Sequence, residues 1–411
     1  MLTAIPRYGA RVIHNTEQTI SAVRSQRQLV RGDHIREFES AFARRVQCSF
    51  ATATSYGRMA FYYLLKAFNL PRDAEIVFPA LTFWAIPELA RVAGLRPVFA
   101  DVNPRTFTID PDSLEDVITP RTRAVVPTHL YGLPCDMAEI VDLARRHNLI
   151  VIEDCAHALG ATYDGQPVGS MGDAGFFSLQ LLTPLNTYGG GMAVTSDPAI
   201  AARVRGMAEA EPWPGGADVH RRLRLGQMQR IAIRPPVFTW SLFPVLWAAS
   251  YVQSNPDVYL WEKIRPLNPL PSSYRQRFSN AQAAIGLESL RHLDEWTART
   301  VAHAETLTEW LKDAWVDTPV VPPGRTHVYH QYPIYARNRD EVVRKCIRRG
   351  VDVEPQHVDV CTRLPLFGGR HAPMPGAERA AAAIQLPVHA SLTDADMQRI
   401  ARVVWESVAI A

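Results

Sequence analysis

Short apolar runs alternate with amphipathic segments along the first half of the chain. The apolar runs lie at 75–78, 95–102, 122–129 and 149–152. Between 35 and 46, Phe38, Phe42 and Val46 recur at helical spacing among charged residues, which predicts a helix with one buried face. Alternation of strands and helices is typical of a mostly parallel sheet covered by helices. The pattern persists to about Arg205, so we predict a large α/β domain over residues 1–205.

The pattern breaks between 206 and 277, where the chain carries the apolar segment 235–251, PPVFTWSLFPVLWAASY. A membrane-spanning helix needs about 20 apolar residues. This segment is shorter and is interrupted by Pro244, so we predict no membrane span. The first interpretation is an inserted helical hairpin that packs on the core or at a subunit interface.

A second interpretation of the same segment remains open. Trp240, Trp247 and Trp261, together with Phe243, exceed what a surface loop needs. They would suit an apolar wall for an acyl or polyketide-like substrate. Further along, a helical pattern from Asn280 to about Trp310 leads into short strands and helices, so residues 278–411 are predicted to form a linking helix and a small α+β domain.

Composition and charge narrow the classes of function. Apolar residues make up 47% of the 411 positions, enough for a large core. Basic residues number 44 and acidic residues 41, spread along the chain without a basic patch, so nucleic-acid binding is not expected. The five cysteines show no C-x-x-C or zinc spacing. We therefore expect no metal site, and the odd cysteine count fits a reducing cytoplasm.

Candidate chemistry concentrates between 149 and 194. Glu153 and Asp154 follow a buried strand, where parallel α/β folds place reactive groups. A strand, a tight turn at Gly57 and a helix occupy 49–69, an arrangement in which helix N-terminal amides can hold a phosphate. Arg58 stands at that positive helix end, where a cation is disfavoured unless an anion is present. We therefore expect an anion beside Arg58.

Three motifs in this region, I-E-D-C-A-H-A-L-G-A-T, G-S-M-G-D-A-G-F-F-S and G-G-G-M, resemble the DegT/DnrJ/StrS family of sugar aminotransferases. The later stretch Y-R-Q-R-F-S-N-A-Q-A-A-I-G is similar to another motif of that family. The resemblance implies a pyridoxal-phosphate enzyme of fold type I, with an aspartate-aminotransferase-like, mostly parallel α/β domain and a smaller α+β domain. It also implies homodimers that act on nucleotide sugars or antibiotic building blocks.

The resemblance assigns roles to individual residues. Asp154 would hold the pyridine nitrogen of the cofactor, and His157 would stand beside its ring hydroxyl. Ser178 and the turn at Gly57 would bind its phosphate, and Phe83 would stack on its ring.

The chain departs from the family at the position that matters most for catalysis. Thr183 stands where the family carries the lysine that forms the Schiff base with the cofactor. Lysine occurs in this chain at four other positions only, Lys66, Lys263, Lys312 and Lys345. Arg58, His157 and Arg275 also replace family residues. Arg275 takes the place of an Asn that reaches the neighbouring subunit's cofactor, so we expect a homodimer with pockets at the subunit boundary.

Because a threonine can neither form an imine nor act as a base at neutral pH, three hypotheses remain. In the first, the enzyme needs no cofactor: Arg58 and Arg275 bind an anionic substrate, while Asp154 and His157 provide acid–base catalysis. In the second, pyridoxal or pyridoxamine phosphate binds non-covalently. In the third, the chain is an inactive partner of an active paralogue.

Overall fold

The computed structural model describes residues 3–9, 16–252, 263–355, 358–368 and 371–408. Its strands, in chain order, are β1 (Phe50–Thr54), β2 (Glu75–Pro79), β3 (Leu81–Thr82), β4 (Arg96–Ala100), β5 (Thr122–Val125), β6 (Ile150–Asp154), β7 (Thr162–Tyr163), β8 (Gln166–Pro167), β9 (Ala174–Ser178), β10 (Gly191–Thr195), β11 (Val316–Asp317), β12 (Tyr332–Ala336), β13 (Asp359–Val360) and β14 (Ile384–Leu386).

The helices of the described chain lie mostly between these strands. In order they are α1 (Thr16–Ser25), α2 (His34–Arg45), α3 (Gly57–Phe68), α4 (Ala85–Val92), α5 (Pro111–Asp116), α6 (Met137–His147), α7 (Pro198–Ala210), α8 (Gly216–Ala232), α9 (Pro235–Trp240), α10 (Phe243–Ala249), α11 (Asn280–Leu311), α12 (Arg339–Arg348), α13 (Pro375–Ala380) and α14 (Asp394–Val408).

A seven-stranded sheet in the order β1-β10-β9-β6-β5-β2-β4 forms the centre of the first half. Strand β10 is antiparallel to β1 and β9, whereas the remaining pairs are parallel. The predicted mostly parallel α/β fold is therefore confirmed. Because parallel strands end at the same edge, the carboxyl ends of β6 and β9 meet there.

Aromatic side chains fill the space between this sheet and its helices. Phe61 of α3 packs between Phe78 and Phe176, with ring centroids 6.1 and 5.0 Å away. Phe38 and Phe42 form the buried face of α2, as their spacing predicts. These contacts fix α3 against β9, which places the start of α3 beside the end of β9.

The long helix α11 connects this core to the C-terminal one. At its start, the backbone amide and the hydroxyl of Ser279 both lie within hydrogen-bond distance of Gln282 Oε1, at 3.4 and 2.8 Å, as in a capping box. Beyond α11 a three-stranded sheet, β11-β12-β14, packs with α12 and α14. The small C-terminal α+β architecture agrees with the sequence analysis.

The apolar segment 235–251 forms α9 and α10. Phe238 and Leu246 insert into the C-terminal core, which agrees with a helical hairpin packed on the core. Trp261, the third tryptophan of the alternative interpretation, lies outside the described residues. Across the described chain, no helix is both long and apolar enough to cross a bilayer.

The N-terminal residues 3–9 pack on the C-terminal part of the chain. Ile5 pairs with Val351, and the guanidinium of Arg7 forms a buried ion pair with Asp352. The predicted domain boundaries near 205 and 278 remain a prediction. These contacts show in addition that the two ends of the described chain share one core.

Candidate active site

A cavity of about 450 Å³ lies at the carboxyl edge of the sheet. Asp154 and Ser178 reach it from the ends of β6 and β9, and α3 begins at its wall. Residues distant in sequence complete the lining. The predicted site residues that line it are Gly57, Arg58, Phe83, Asp154, His157, Ser178 and Thr183.

Asp154 is the buried acid of this cavity, with only 4% of its surface exposed. Its carboxylate accepts a hydrogen bond from the Ala156 amide at 3.1 Å. Burial raises the pKa of Asp154 to about 7, and the Ala156 N–H opposes this only in part. Asp154 can therefore gain or lose a proton near neutral pH.

The adjacent Glu153 faces away from the cavity and has a structural role. Its Oε1 accepts from the amides of Met171 and Gly172 at 2.8 and 2.7 Å. Its Oε2 accepts from the Gly169 amide at 2.8 Å and lies 3.0 Å from His129 Nε2. The carboxylate thus ties the segment before β9 to β6.

His129, Glu153 and Cys155 are the one group of possible metal ligands within the described residues, their ligand atoms lying within 4.8 Å of one another. The Cys135 amide donates to His129 Nδ1 at 3.0 Å, so Nε2 carries the proton and donates to Glu153. Both ring nitrogens of His129 and both carboxylate oxygens of Glu153 thus have hydrogen-bond partners within the protein. We therefore interpret His129 as a structural histidine.

Gly57 brings the start of α3 against the sheet. A Cβ at Gly57 would lie 2.9 Å from Phe177 O and 3.0 Å from Ser178 Cα, and a Cβ at Gly191 would lie 2.3 Å from Gly57 N. Only glycines permit this approach. It sets the first amides of α3 next to Ser178, the arrangement that favours an anion.

The glycine run 189–191 also makes close approaches within the chain. A Cβ at Gly190 would lie 2.4 Å from the ring of Phe278. Gly191 therefore permits the packing of α3 on the sheet, and Gly190 permits the packing of Phe278, two residues before α11.

Arg58 is surrounded by aromatic rings. Its guanidinium carbon lies 5.0 Å from the ring centroid of Tyr274, 5.2 Å from Phe83 and 5.6 Å from Tyr56. It also donates a hydrogen bond to the Tyr274 hydroxyl. Cation–π contacts offset part of the unfavourable position at a helix N-terminus. Phe83, the ring expected from the resemblance to stack on a cofactor, thus lies beside a cation.

Thr183 lines the cavity but is 7% exposed. Its hydroxyl lies 2.9 Å from Gln180 O and 3.0 Å from Leu185 O. The hydroxyl hydrogen is thus used within its own turn. All four lysines belong to the described residues, and none of them lines the cavity.

His157 lines the cavity, and its ring stacks on that of His330 at 4.2 Å with an interplanar angle of 29°. Sequence reasoning missed this partner, because the stretch around His330 lies in the small domain, far from the motif that contains His157. Stacking holds the His157 ring in one orientation.

Tyr8 and Glu354 also line the cavity, and neither was predicted. The Tyr8 hydroxyl donates to Glu354 Oε2 at 2.6 Å, and Gln331 Nε2 lies 3.3 Å from the same oxygen. These residues are far apart in sequence, so no local motif could identify them. The N-terminal segment and the small domain therefore form one side of the cavity.

Arg275 is the predicted site residue that does not line the cavity of its own chain. Its side chain is exposed, and Nε lies 3.2 Å from Glu211 Oε1. Glu211 also accepts from the Tyr63 hydroxyl at 3.1 Å. The predicted reach of Arg275 into a neighbouring subunit's site stays a prediction. Segment 235–251 contributes no lining residue either, so it forms no wall of this cavity.

The sheet, the two domains and the position of the buried acid define a protein of the aminotransferase fold. A family model described as the DegT/DnrJ/EryC1/StrS aminotransferase family matches residues 11–228 and 246–405. The chain belongs to this family. The match leaves out 229–245, which lies within the region 206–277 where the alternation of strands and helices breaks.

Relatives of known name match over nearly the full length. The chain is 32% identical over 378 residues to a GDP-perosamine synthase of Caulobacter vibrioides, covering 90% of this chain and 88% of the relative. It is 30% identical over 397 residues to a pleiotropic regulatory protein of Geobacillus stearothermophilus, with 95% and 93% covered. Among solved structures, DesV of S. venezuelae, in complex with a ketimine intermediate, aligns with a TM-score of 0.77 at 26% identity, with 98% of each chain covered.

Proposed function

We propose that this protein is an enzyme of sugar or secondary-metabolite biosynthesis that performs acid–base chemistry on a small anionic substrate, without a covalently held cofactor. The observation that carries the proposal is Asp154. It is a buried carboxyl on the cavity wall, with a pKa raised to about 7 by burial. A group with that pKa can both accept and donate a proton at physiological pH.

The neighbouring groups suit an anionic substrate. Arg58 carries a positive charge on the cavity wall, and the first amides of α3 add the positive end of the helix dipole. His157 is the second candidate for proton transfer. In this mechanism Arg58 and α3 hold the anionic group, Asp154 moves a proton at the reacting carbon, and His157 serves the leaving or accepting oxygen.

Resemblance to a GDP-perosamine synthase supports a nucleotide sugar as the substrate class. We further propose a homodimer in the cytoplasm, in which Arg275 of each subunit approaches the partner's cavity. Sedimentation at micromolar concentration tests the assembly, and a monomer would contradict it.

The second candidate is non-covalent binding of pyridoxal or pyridoxamine phosphate. Within the described chain no basic side chain forms an ion pair with Asp154, and a protonated ring nitrogen would suit this buried carboxylate. Ser178 and Gly57 would hold the phosphate, and Phe83 would flank the ring. The fit is partial, because Thr183 supplies no amine. When bound, this cofactor stabilises negative charge at the substrate carbon. The third candidate, an inactive partner of an active paralogue, needs none of these groups.

Two measurements separate the candidates. Incubation with keto-sugar nucleotides in D₂O, followed by proton NMR, should show deuterium entering next to the carbonyl without added cofactor. Asp154→Asn should abolish the exchange. Replacement of Asp173, an exposed acid that immediately precedes β9, by asparagine should not. A visible absorption band after growth with excess pyridoxal phosphate, with exchange only when the band is present, would favour the second candidate. The absence of both deuterium exchange and an absorption band would favour the third candidate.

A further inference from the structure

A second cavity, of about 320 Å³, lies apart from the candidate active site. Residues of α2, β1 and α7 and of the segment that precedes α11 line it. Among the described residues, none lines both cavities. Four arginines from three separate parts of the sequence meet at the second cavity, namely Arg31, Arg36, Arg205 and Arg277. The fold therefore concentrates positive charge that the sequence does not show as a basic run.

Three acids also line this cavity, and two of them pair with Arg205. Glu39 is buried; its Oε1 accepts from the Ala53 amide at 2.8 Å, and its Oε2 accepts from Arg205 Nη2 at 2.9 Å. Glu209 Oε1 lies 3.7 Å from Arg205 Nη1. The third acid, Asp33, is exposed and forms no ion pair within the part of the chain that the structure describes. The charge of Arg205 is thus compensated inside the protein.

The remaining arginines have different surroundings. Arg31 and Arg277 both contact the ring of Trp213, with guanidinium carbons 5.1 and 3.8 Å from its centroid. Arg277 Nη1 lies 3.5 Å from Glu209 O, at the limit of a hydrogen bond. Across the described residues, no acid forms an ion pair with Arg31, Arg36 or Arg277. A guanidinium that packs on an aromatic face keeps its N–H edges available for an oxyanion.

The electrostatic surroundings of Arg277 also favour an anion. Burial lowers the pKa of Arg277; the Glu209 carboxylate opposes this effect, whereas the Arg31 guanidinium adds to it. The groups around Arg277 therefore compensate its charge only in part. A bound anion would offset the cost of burial and the repulsion between the two guanidinium groups.

We infer that the second cavity binds the phosphate group of a small metabolite, held by Arg31 and Arg277 beside Trp213. Guanidinium groups bind phosphate through paired, charge-assisted hydrogen bonds. Arg36, which is exposed, adds positive charge to the same cavity. The volume of the cavity lies within the range of small-molecule sites, so it admits more than a single phosphate ion. This inference does not depend on the function proposed for the first cavity.

Equilibrium dialysis of the full chain against radiolabelled inorganic phosphate tests the inference. The first cavity is itself expected to hold an anion beside Arg58, so the measurement is made on Arg58→Gln. This variant should still bind one phosphate per chain. Addition of Arg31→Gln and Arg277→Gln should weaken that binding about tenfold or more, because two charged donors are lost.

The matched control adds Arg299→Gln to Arg58→Gln instead. Arg299 is an exposed arginine of α11 that does not line the cavity and forms no ion pair with a described residue. This variant should bind phosphate like Arg58→Gln alone, and circular dichroism should verify that all variants fold. Absence of phosphate binding by Arg58→Gln would overturn the inference while leaving the proposed function intact. Equal weakening in the cavity variant and the control would also overturn it, since the effect would then reflect net charge alone.

Discussion

Replacement of Asp154 by asparagine should stabilise the protein in a pH-dependent way. Asparagine keeps an oxygen that can accept the Ala156 N–H bond but cannot ionise. In the wild type, burial raises the pKa of Asp154 from 3.8 to about 7. Between those values the folded state holds a proton that the unfolded state has lost, so the free energy of unfolding falls as the pH rises through this window.

The magnitude follows from the size of the shift. About three pKa units at 1.36 kcal/mol each give an upper limit of about 4 kcal/mol. Local relaxation and water entry reduce this figure, so we expect Asp154→Asn to exceed the wild type by about 2–4 kcal/mol at pH 8. At pH 4 the carboxyl is neutral in the folded protein, and the two proteins should be of similar stability.

Urea unfolding at pH 4, 6 and 8 measures this difference. Asp173→Asn is the control, because the Asp173 carboxylate also accepts a backbone N–H, from Val151 at 2.8 Å, but the residue is exposed. Its stability curve should follow that of the wild type with pH. A difference between Asp154→Asn and the wild type that stays constant from pH 4 to 8 would refute the reasoning. A rise in wild-type stability on addition of pyridoxal phosphate at pH 8, absent in Asp154→Asn, would support the cofactor-dependent alternative.

Three further changes test other parts of the site. His157→Gln should leave folding intact, as seen by circular dichroism, and lower the rate of deuterium exchange about 10²- to 10⁴-fold if His157 transfers a proton; an unchanged rate would remove it from the mechanism. Thr183→Lys alone should not produce efficient transamination, because Arg58 and His157 also differ from the family; turnover with an amino donor, followed by keto-acid release, would show otherwise. Gly191→Ala should destabilise the protein by about 1–3 kcal/mol in urea unfolding, because its Cβ would meet Gly57 N at 2.3 Å. The control is Gly206→Ala in α7, whose Cβ would meet no atom within 4 Å; this variant should be neutral or more stable by up to about 1 kcal/mol. Equal losses of stability in Gly191→Ala and Gly206→Ala would contradict the packing argument.

The sequence predicted the parts of the molecule that depend on local patterns. Apolar runs bounded by polar turns located β2, β4 and β6, because a buried parallel strand needs apolar residues on both faces. Asp154 was predicted because an apolar run places it at the end of a buried strand, and Ser178 because it lies in a motif that resembles the family. Both are the last residues of their strands, β6 and β9, at the edge of the sheet that opens on the cavity.

Contacts between residues far apart in sequence could not be predicted from local patterns. Tyr8 reaches the cavity because the N-terminal segment pairs with Val351, and nothing near Tyr8 in sequence indicates this. Arg275 was placed in a site by its motif, but in its own chain the nearest acid, Glu211, determines its position. A motif identifies the residue type, whereas the position of a long charged side chain depends on the charges around it.

The contrast between Glu153 and Asp154 bears on whether the chain is an enzyme. They are adjacent acids on one strand, so they point to opposite faces. Glu153 accepts three backbone amides and a histidine N–H, whereas the Asp154 carboxylate accepts one amide. A buried acid with so little compensation lowers stability at neutral pH. Asparagine at this position would accept the hydrogen bond from the Ala156 N–H without that loss of stability. An inactive partner would need only this hydrogen bond and no charge. A catalytic group or a cofactor-binding carboxylate requires the charge, so Asp154 favours a working site over the inactive partner.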